Sequence, residues 1–355
     1  MSSRPSVSAV VTYHESPATI GHVVDALLRQ DYAIERIIVV DNGSRQGLEQ
    51  LESSYPQVSV IRLTENTGLT HARNIGLARV TSELVLLLDD DIYATPDCLS
   101  LMVTAMLETG AAVVCPRIVF HPDGSVIQCD GANVHFAGML GLNNKEAPVS
   151  GAPAVRRNCN AFIGACILIK RQLLLDLGGF DEDYFFYFED LELSYRLRAL
   201  GHSIWCEPGA VVFHERGRGT PDLSFRGEGT YPPQRAYFIL RHRWLSMALH
   251  YQARSLLILF PALALYDLAA FLECVHRGWL PQWGKAVWSL LRGVRGILER
   301  RKWWQSARRT ADAEILSGGP LPFAAGFAGS GSAAWAAQAL SQLLNHYWTR
   351  TRRWL

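Results

Sequence analysis

Four short apolar runs alternating with helical patterns constrain this chain more than any other feature. Residues 7–12, 36–40, 58–63 and 84–88 are rich in Val, Ile and Leu and read as buried strands. After the first run, Ser16-Pro17 offers an N-cap with proline at the first helical position, which predicts a helix to about Gln30. Residues 69–79 predict a second helix. Thr95-Pro96-Asp97 opens a third, which Gly110 closes. The alternation predicts an α/β fold, with a mainly parallel sheet and helices on both faces. Ligands on such sheets lie at the carboxyl ends of the strands, so the residues directly after each run deserve inspection.

Further along, residues 116–160 read as loops and short antiparallel strands. Residues 162–169 read as a strand, 190–200 as a helix stopped by Gly201, and 210–213 as a last short strand. Residues 215–234 are polar and read as a mobile loop. From Ala236 the chain turns to long helices rich in Leu, Trp and Arg. A Gly/Ala/Ser linker at 317–332 then precedes a terminal helix with a basic cluster at 350–353. The chain is 49% hydrophobic and 19% charged, so it can bury a large core and is not disordered. Its seven cysteines are scattered without CxxC pairs, which suggests a reducing compartment and not a disulfide framework or a zinc ribbon. The N-terminus lacks a signal-peptide pattern.

The formal net charge of +1 is a cancellation. Residues 1–234 hold 18 Lys+Arg and 28 Asp+Glu, whereas residues 235–355 hold 16 and 5. Nine of the ten tryptophans follow residue 240. An acidic front and a basic, Trp-rich back point to an anionic partner for the back.

The strand ends carry the chemistry. The first ends in Thr12-Tyr13-His14-Glu15 and the second in Asp41-Asn42-Gly43-Ser44. The Asn-Gly turn holds Asp41 at the sheet edge, where it can accept bonds from a base or ribose, or else cap the next segment. After the third run come Asn66, Thr67 and Gly68, then Arg73. The glycine permits close backbone approach before a helix N-terminus. Arg73 can meet a diphosphate or an edge carboxylate, or else be a solvated helix residue. After the fourth run stand Asp89, Asp90 and Asp91. Three carboxylates behind a buried strand repel one another unless a cation neutralises them. A divalent metal does so and also bridges to diphosphate oxygens; the alternative is an ordinary loop surface. Glu189-Asp190 opens a helix behind an aromatic run. A helix N-terminus favours the ionised form, which suits a general base, although acidic residues commonly begin helices. His214 follows a strand as a further metal ligand or as a structural histidine.

Together VVTYHES, VVDNGS, NTGLTHARNIG, LLLDDD, FIGACILIKR, GGFDEDYFFYFEDLELSYRLRALGH and VVFHE resemble the family-2 glycosyltransferases of the GT-A fold across residues 5–215. The likeness is greatest to bacterial rhamnosyltransferase-like members that build surface polysaccharides. The resemblance implies a Rossmann-like GT-A nucleotide-diphospho-sugar transferase domain over 1–234. It implies inverting, metal-dependent transfer of rhamnose or another hexose from a UDP- or dTDP-sugar to a lipid-linked or glycan acceptor. Asp41 would contact the base, with Thr12 and Glu15 lining that pocket. Arg73 would support the diphosphate, beside Asn66 and Gly68. Asp89 and Asp91 match the outer positions of the DxD motif, with Asp90 between them. Asp91 would contact Mg2+ or Mn2+, with Asp89 as a further metal ligand that also faces the ribose side. Asp190 would be the catalytic base with Glu189 beside it, and His214 matches a metal ligand of some members. His14 departs from the pattern, which commonly has Asn there.

Residues 235–316 form the basic, Trp-rich region and 317–355 the linker and terminal helix. Residues 255–272 approach the length of a bilayer span, but Pro261 and Asp267 interrupt them, and a buried charge there costs a few kcal/mol. Residues 277–309 hold nine Lys+Arg and one acid, interleaved with Trp279, Trp283, Trp288, Trp303 and Trp304. That composition suits helices lying in an anionic membrane surface, on the cytoplasmic face. A packed helical subdomain or a homo-oligomer interface is the alternative. No nucleic-acid-binding module is recognisable, so nucleic acid is not expected. Two other readings compete for the whole chain: a non-catalytic nucleotide-sugar-binding partner in glycan assembly, and a dinucleotide oxidoreductase. The second lacks GxGxxG after the first strand.

Overall fold

The apolar runs form the strands of one twisted sheet. In the computed structural model, residues 4–215, 232–322 and 332–355 are described. The chain begins β1 (Val7–Tyr13), α1 (Ile20–Leu28), β2 (Ile37–Asp41), α2 (Glu49–Ser54), β3 (Val58–Arg62), α3 (Leu69–Leu77) and β4 (Leu84–Asp89). Every residue of β1 and β2 is buried, as expected of strands covered on both faces. β1 lies between β2 and β4 and is parallel to both, and β3 is parallel to β2. The register sets Thr12 opposite Asp89, and Tyr13 opposite Asp41. The carboxyl ends of three strands therefore converge at one edge.

The sheet then becomes mixed. Next come β5 (Ile92–Ala94), α4 (Cys98–Thr109), β6 (Val113–Phe120), β7 (Ile127–Cys129), β8 (Ala132–His135), β9 (Met139–Leu142) and β10 (Arg157–Cys159). β11 (Cys166–Lys170), α5 (Arg171–Asp176), α6 (Glu189–Ala199) and β12 (Ile204–His214) complete this part. The order is β10-β12-β6-β11-β4-β1-β2-β3. β11 is antiparallel to β4 and β6, while β12 runs parallel to β6. Gly110 closes α4 in the left-handed conformation, as the sequence predicts.

Three local expectations change. α1 starts at Ile20, because the Ser16 carbonyl accepts from Thr19 N–H (3.2 Å) and the Ser16 hydroxyl donates to the His14 carbonyl. Ser16-Pro17 thus makes a turn before the helix. β12 has eleven residues, not four: its ladder shifts register between Glu207 and Val211, and Pro208-Gly209 hides the strand pattern. Residues 162–165 precede β11 as loop, and the short α2 and α5 carried no legible signal.

The remaining elements are α7 (Pro233–His250), α8 (Ala253–His276), α9 (Leu280–Arg292), α10 (Val294–Ala307), α11 (Asp312–Ile315), β13 (Leu316–Ser317) and α12 (Ser332–Thr351). They interlock with the front of the chain. β13 extends a three-stranded sheet, β13-β8-β9. Phe136 stacks on Trp348 with ring centroids 5.0 Å apart. A buried cluster joins Val134, Phe136 and Tyr195 to Met247, Tyr251, Ile315 and Leu344. Asp312 is buried and accepts bonds from Tyr195 Oη, Arg308 Nη1 and the Gln252 amide. Asp267 accepts from Arg243 Nη1 and Trp244 Nε1, which ties α8 to α7. All seven cysteines are free and buried. The polar loop expected at 215–234 and the linker expected at 317–332 fall mostly outside the described residues.

Candidate active site

The edge is first shaped by turns. Asp41 is fully buried; its Oδ1 accepts the Ser44 amide at 3.0 Å, while Oδ2 lacks a hydrogen-bond partner and lies 3.7 Å from Arg62 Nε. The buried Thr12 hydroxyl also lacks a partner. Buried oxygens that lack a hydrogen bond near a strand edge are costly unless a ligand completes them. Glu15 accepts the Arg45 amide (2.9 Å) and Nε (3.1 Å), and those bonds hold its carboxyl below the usual range.

Asparagines brace the two neighbouring loops. Asn42 Oδ1 accepts the Thr67 amide and hydroxyl, and its Nδ2 donates to Asn66 Oδ1. The His14 ring links both: Nδ1 lies 3.0 Å from the Asn42 carbonyl and Nε2 lies 3.2 Å from Asn66 Nδ2. These partners assign the proton to Nδ1. Gly68 has φ +93°, and a Cβ there would lie 2.6 Å from Phe185 Cδ2. The close approach it permits is that of Phe185, whose carbonyl accepts the Leu69 amide at 2.8 Å.

Arg73 gathers the centre. It is buried, with Nη2 donating to Asp89 Oδ1 (2.8 Å) and to the Gly164 carbonyl (2.7 Å). Nη1 donates to Glu189 Oε1 at 3.4 Å. It is therefore not a solvated helix residue. Asp190 accepts the Leu191 amide at 2.7 Å and the Gly164 amide at 3.3 Å. Burial raises the affinity of both acids for a proton. The Asp190 charge raises Glu189 further, against the pull of Arg73, and Glu189 Oε2 has no partner. Two backbone donors offset the effect at Asp190. Both carboxyls are thus raised, and Glu189 carries the added push of its neighbour's charge.

The acidic triplet divides its roles. Asp89 meets Arg73. Asp90 Oδ2 accepts the His14 amide at 2.9 Å, and withdrawal from water, then the Asp91 charge, push its pKa well above the ordinary range. Asp91 is buried, with Oδ1 3.3 Å from His214 Nε2. His214 Nδ1 lies 2.8 Å from Gln128 Oε1 and serves as donor there. Its Nε2 faces the Asp91 carboxylate. A buried carboxylate and an imidazole side by side are ligand types that divalent cations take. Among the described residues no group of three or more such side chains has metal-holding geometry.

The segment before the acidic pair is strained. Tyr187 and Phe188 have φ of 67° and 70°. For bulky residues this costs on the order of 1–3 kcal/mol each. α3 holds the segment's start: Asn74 bonds both backbone groups of Phe180 and also Glu182, which pairs with His71.

Sequence reasoning missed Gly164, Gln128, Asn42 and Asn74 as individual residues. Gly164 offered a signal, a glycine just before an apolar strand where a Cβ would lie 2.7 Å from Arg73 Nη1. Gln128 offered none.

A mainly parallel sheet with an acidic carboxyl edge, a buried arginine and an acidic pair opening a nearby helix defines the GT-A class. Residues 8–178 match the model described as Glycosyl transferase family 2. It is 29% identical over 69% of its length to the uncharacterized protein y4gI of Sinorhizobium fredii, covering 28% of that protein. It is 31% identical over 51% of its length to the pre-mycofactocin glycosyltransferase of Mycobacterium tuberculosis, covering 37% of it. The chain therefore spans about a third of these two relatives. It is 27% identical over 59% of its length to the N-acetylglucosaminyl-diphospho-decaprenol L-rhamnosyltransferase of that organism, covering 76% of it. Among solved structures, GalNAc-T7 with UDP, GalNAc and Mn2+ shares the fold at a TM-score of 0.59 and 15% identity, over 74% of this chain and 51% of that one. The mannosyltransferase PcManGT from Pyrobaculum calidifontis, in complex with GDP-Man and Mn2+, does so at 0.52 and 20%, over 86% of each chain.

Proposed function

We propose that this protein is an inverting, metal-dependent glycosyltransferase. It moves rhamnose or another hexose from a UDP- or dTDP-sugar to a hydroxyl of a lipid-linked or polysaccharide acceptor in cell-surface glycan synthesis. The convergence of Asp89, Arg73, Glu189 and Asp190 around Gly164 carries the reading. It joins a diphosphate-facing edge to a carboxylate base. Two of the relatives bear names of sugar-transferring enzymes, and both structural neighbours were solved with a nucleotide and Mn2+.

Asp41 and Thr12 offer buried acceptor oxygens to the base and ribose, with Glu15 and Arg45 closing that turn. Asp91 and His214 would hold Mg2+ or Mn2+, which when bound neutralises charge on the leaving diphosphate. Asp190 takes the proton from the acceptor hydroxyl. That oxygen forms its bond to the anomeric carbon as the bond to the diphosphate oxygen breaks, so the nucleoside diphosphate leaves with the electron pair. One displacement inverts the centre. Glu189 stands beside the base, its affinity for a proton raised by burial and by the Asp190 charge.

The back of the chain would place the site at a membrane. α8 is long and apolar enough to cross one, with 22% of its apolar window buried. Leu257, Phe260, Leu268 and Leu272 on α8, Trp288 and Leu291 on α9, and Leu298 and Trp303 on α10 are exposed. Exposed Lys285, Arg292, Arg295 and Lys302 accompany them. Because Asp267 is bonded to α7, peripheral docking on the cytoplasmic face is favoured over a single span.

A thermal-shift screen of nucleotide sugars with and without Mn2+ identifies the donor, and transfer assays then compare wild type with Asp190→Asn. The variant should bind donor and lose transfer; near-wild-type turnover overturns the base assignment. Failure to bind liposomes with anionic lipid at low salt overturns the membrane placement.

A further inference from the structure

α7 grips the segment that carries the base at four of its residues. Arg241 Nη1 donates to the Asp183 carbonyl at 2.6 Å. The Ser246 hydroxyl lies 2.9 Å from Tyr184 Oη. Phe238 stacks on Phe185, centroids 5.5 Å apart and planes 9° apart. His242 Nδ1 donates to the Tyr187 carbonyl at 2.8 Å.

The last contact bears directly on the strained turn. Tyr187 and Phe188 are both left-handed, and Glu189-Asp190 follows at once. A bulky residue keeps that conformation only where its surroundings enforce it. His242 is wholly buried and packs against the Tyr184 and Phe238 rings at 5.0 and 5.4 Å. Burial, then the Arg241 charge, lowers its pKa to about 3. Its ring is therefore neutral, and the carbonyl partner requires the proton on Nδ1.

We propose that His242 is a positioning residue for glycosyl transfer: through the Tyr187 carbonyl it holds the left-handed turn that aims Asp190 at the acceptor hydroxyl. The inference rests on Asp190 being the base. It makes α7 part of the transfer machinery as well as a link to the following helices. A base displaced by about 1 Å loses about a hundredfold in rate.

The test uses the full chain with His242→Ala, His242→Asn and His242→Gln. Asn places an amide N–H where Nδ1 stood, whereas Gln places it near Nε2. Measured are kcat, acceptor KM, donor affinity and hydrogen exchange of the 183–190 amides. Expected for Ala is a fall in kcat of about a hundredfold, donor affinity within about twofold of wild type, and faster exchange at 187–190. Asn should restore most of the kcat and the protection, and Gln should not. Unchanged kcat in His242→Ala overturns the proposal. So does equal loss in Asn and Gln, which also decides the matter if Ala fails to fold. If Asp190→Asn stays active, the base reading fails separately, while the exchange data still report whether His242 holds the turn.

Discussion

Arg73 Nη2 donates to Asp89 Oδ1 across 2.8 Å and so joins α3 to the end of β4. The same guanidinium reaches the Gly164 carbonyl and Glu189. Four segments distant in sequence meet at one buried cation. Replacing it with Met removes the positive charge and strands the Gly164 carbonyl. Arg73→Met should lose about 3–5 kcal/mol of stability, as when one partner of a buried pair is removed. Urea unfolding checks this, and a loss under about 1 kcal/mol contradicts it.

Glu189 gives stability a pH signature. Burial and the Asp190 charge raise it from 4.5 to about 8. Between those values the folded chain keeps a proton that the unfolded chain has lost, so stability falls as pH rises through the window. Glu189→Gln removes that dependence. Its melting temperature relative to wild type should climb from pH 5 to pH 8.5. A constant difference refutes the assignment.

Gln128 fixes the His214 tautomer through a 2.8 Å bond. Gln128→Leu removes that bond and frees the ring to rotate. Mn2+ affinity, read by calorimetry without any substrate, should drop about 10–100-fold. Affinity equal to wild type would show that His214 is not a ligand.

Gly68 permits the approach of Phe185. Gly68→Ala places a Cβ 2.6 Å from Phe185 Cδ2 and 2.8 Å from its carbonyl oxygen, at a φ of +93°. The expected cost is about 1–3 kcal/mol from the backbone alone. Exchange at the Phe185 to Phe188 amides should rise with it, and unchanged protection there counts against the contact.

The chain's order of elements was legible because burial on both faces leaves a mark. β1, β2 and β4 admit few polar side chains until their last residues, so the runs and their acidic ends stand out together. The left-handed glycine after α4 was legible for a similar reason, since few other residues take that conformation. Ser16 misled because its hydroxyl found the His14 carbonyl and so did not cap the helix. β12 was truncated in the reading because a bulge interrupts its alternation.

The sequence alone determined which chemistry is present: carboxylates after a central strand, an acidic pair at a helix start, and a basic, aromatic C-terminal third. Local periodicity and composition encode those features within a few residues. Only the tertiary structure decided what each carboxylate faces. Asp89 faces Arg73, Asp91 faces His214, and Asp190 receives the Leu191 and Gly164 amides. It likewise decided that α7 bonds the turn before the acidic pair through His242. Each partner lies tens of residues away or more, and packing, not local sequence, sets such distances.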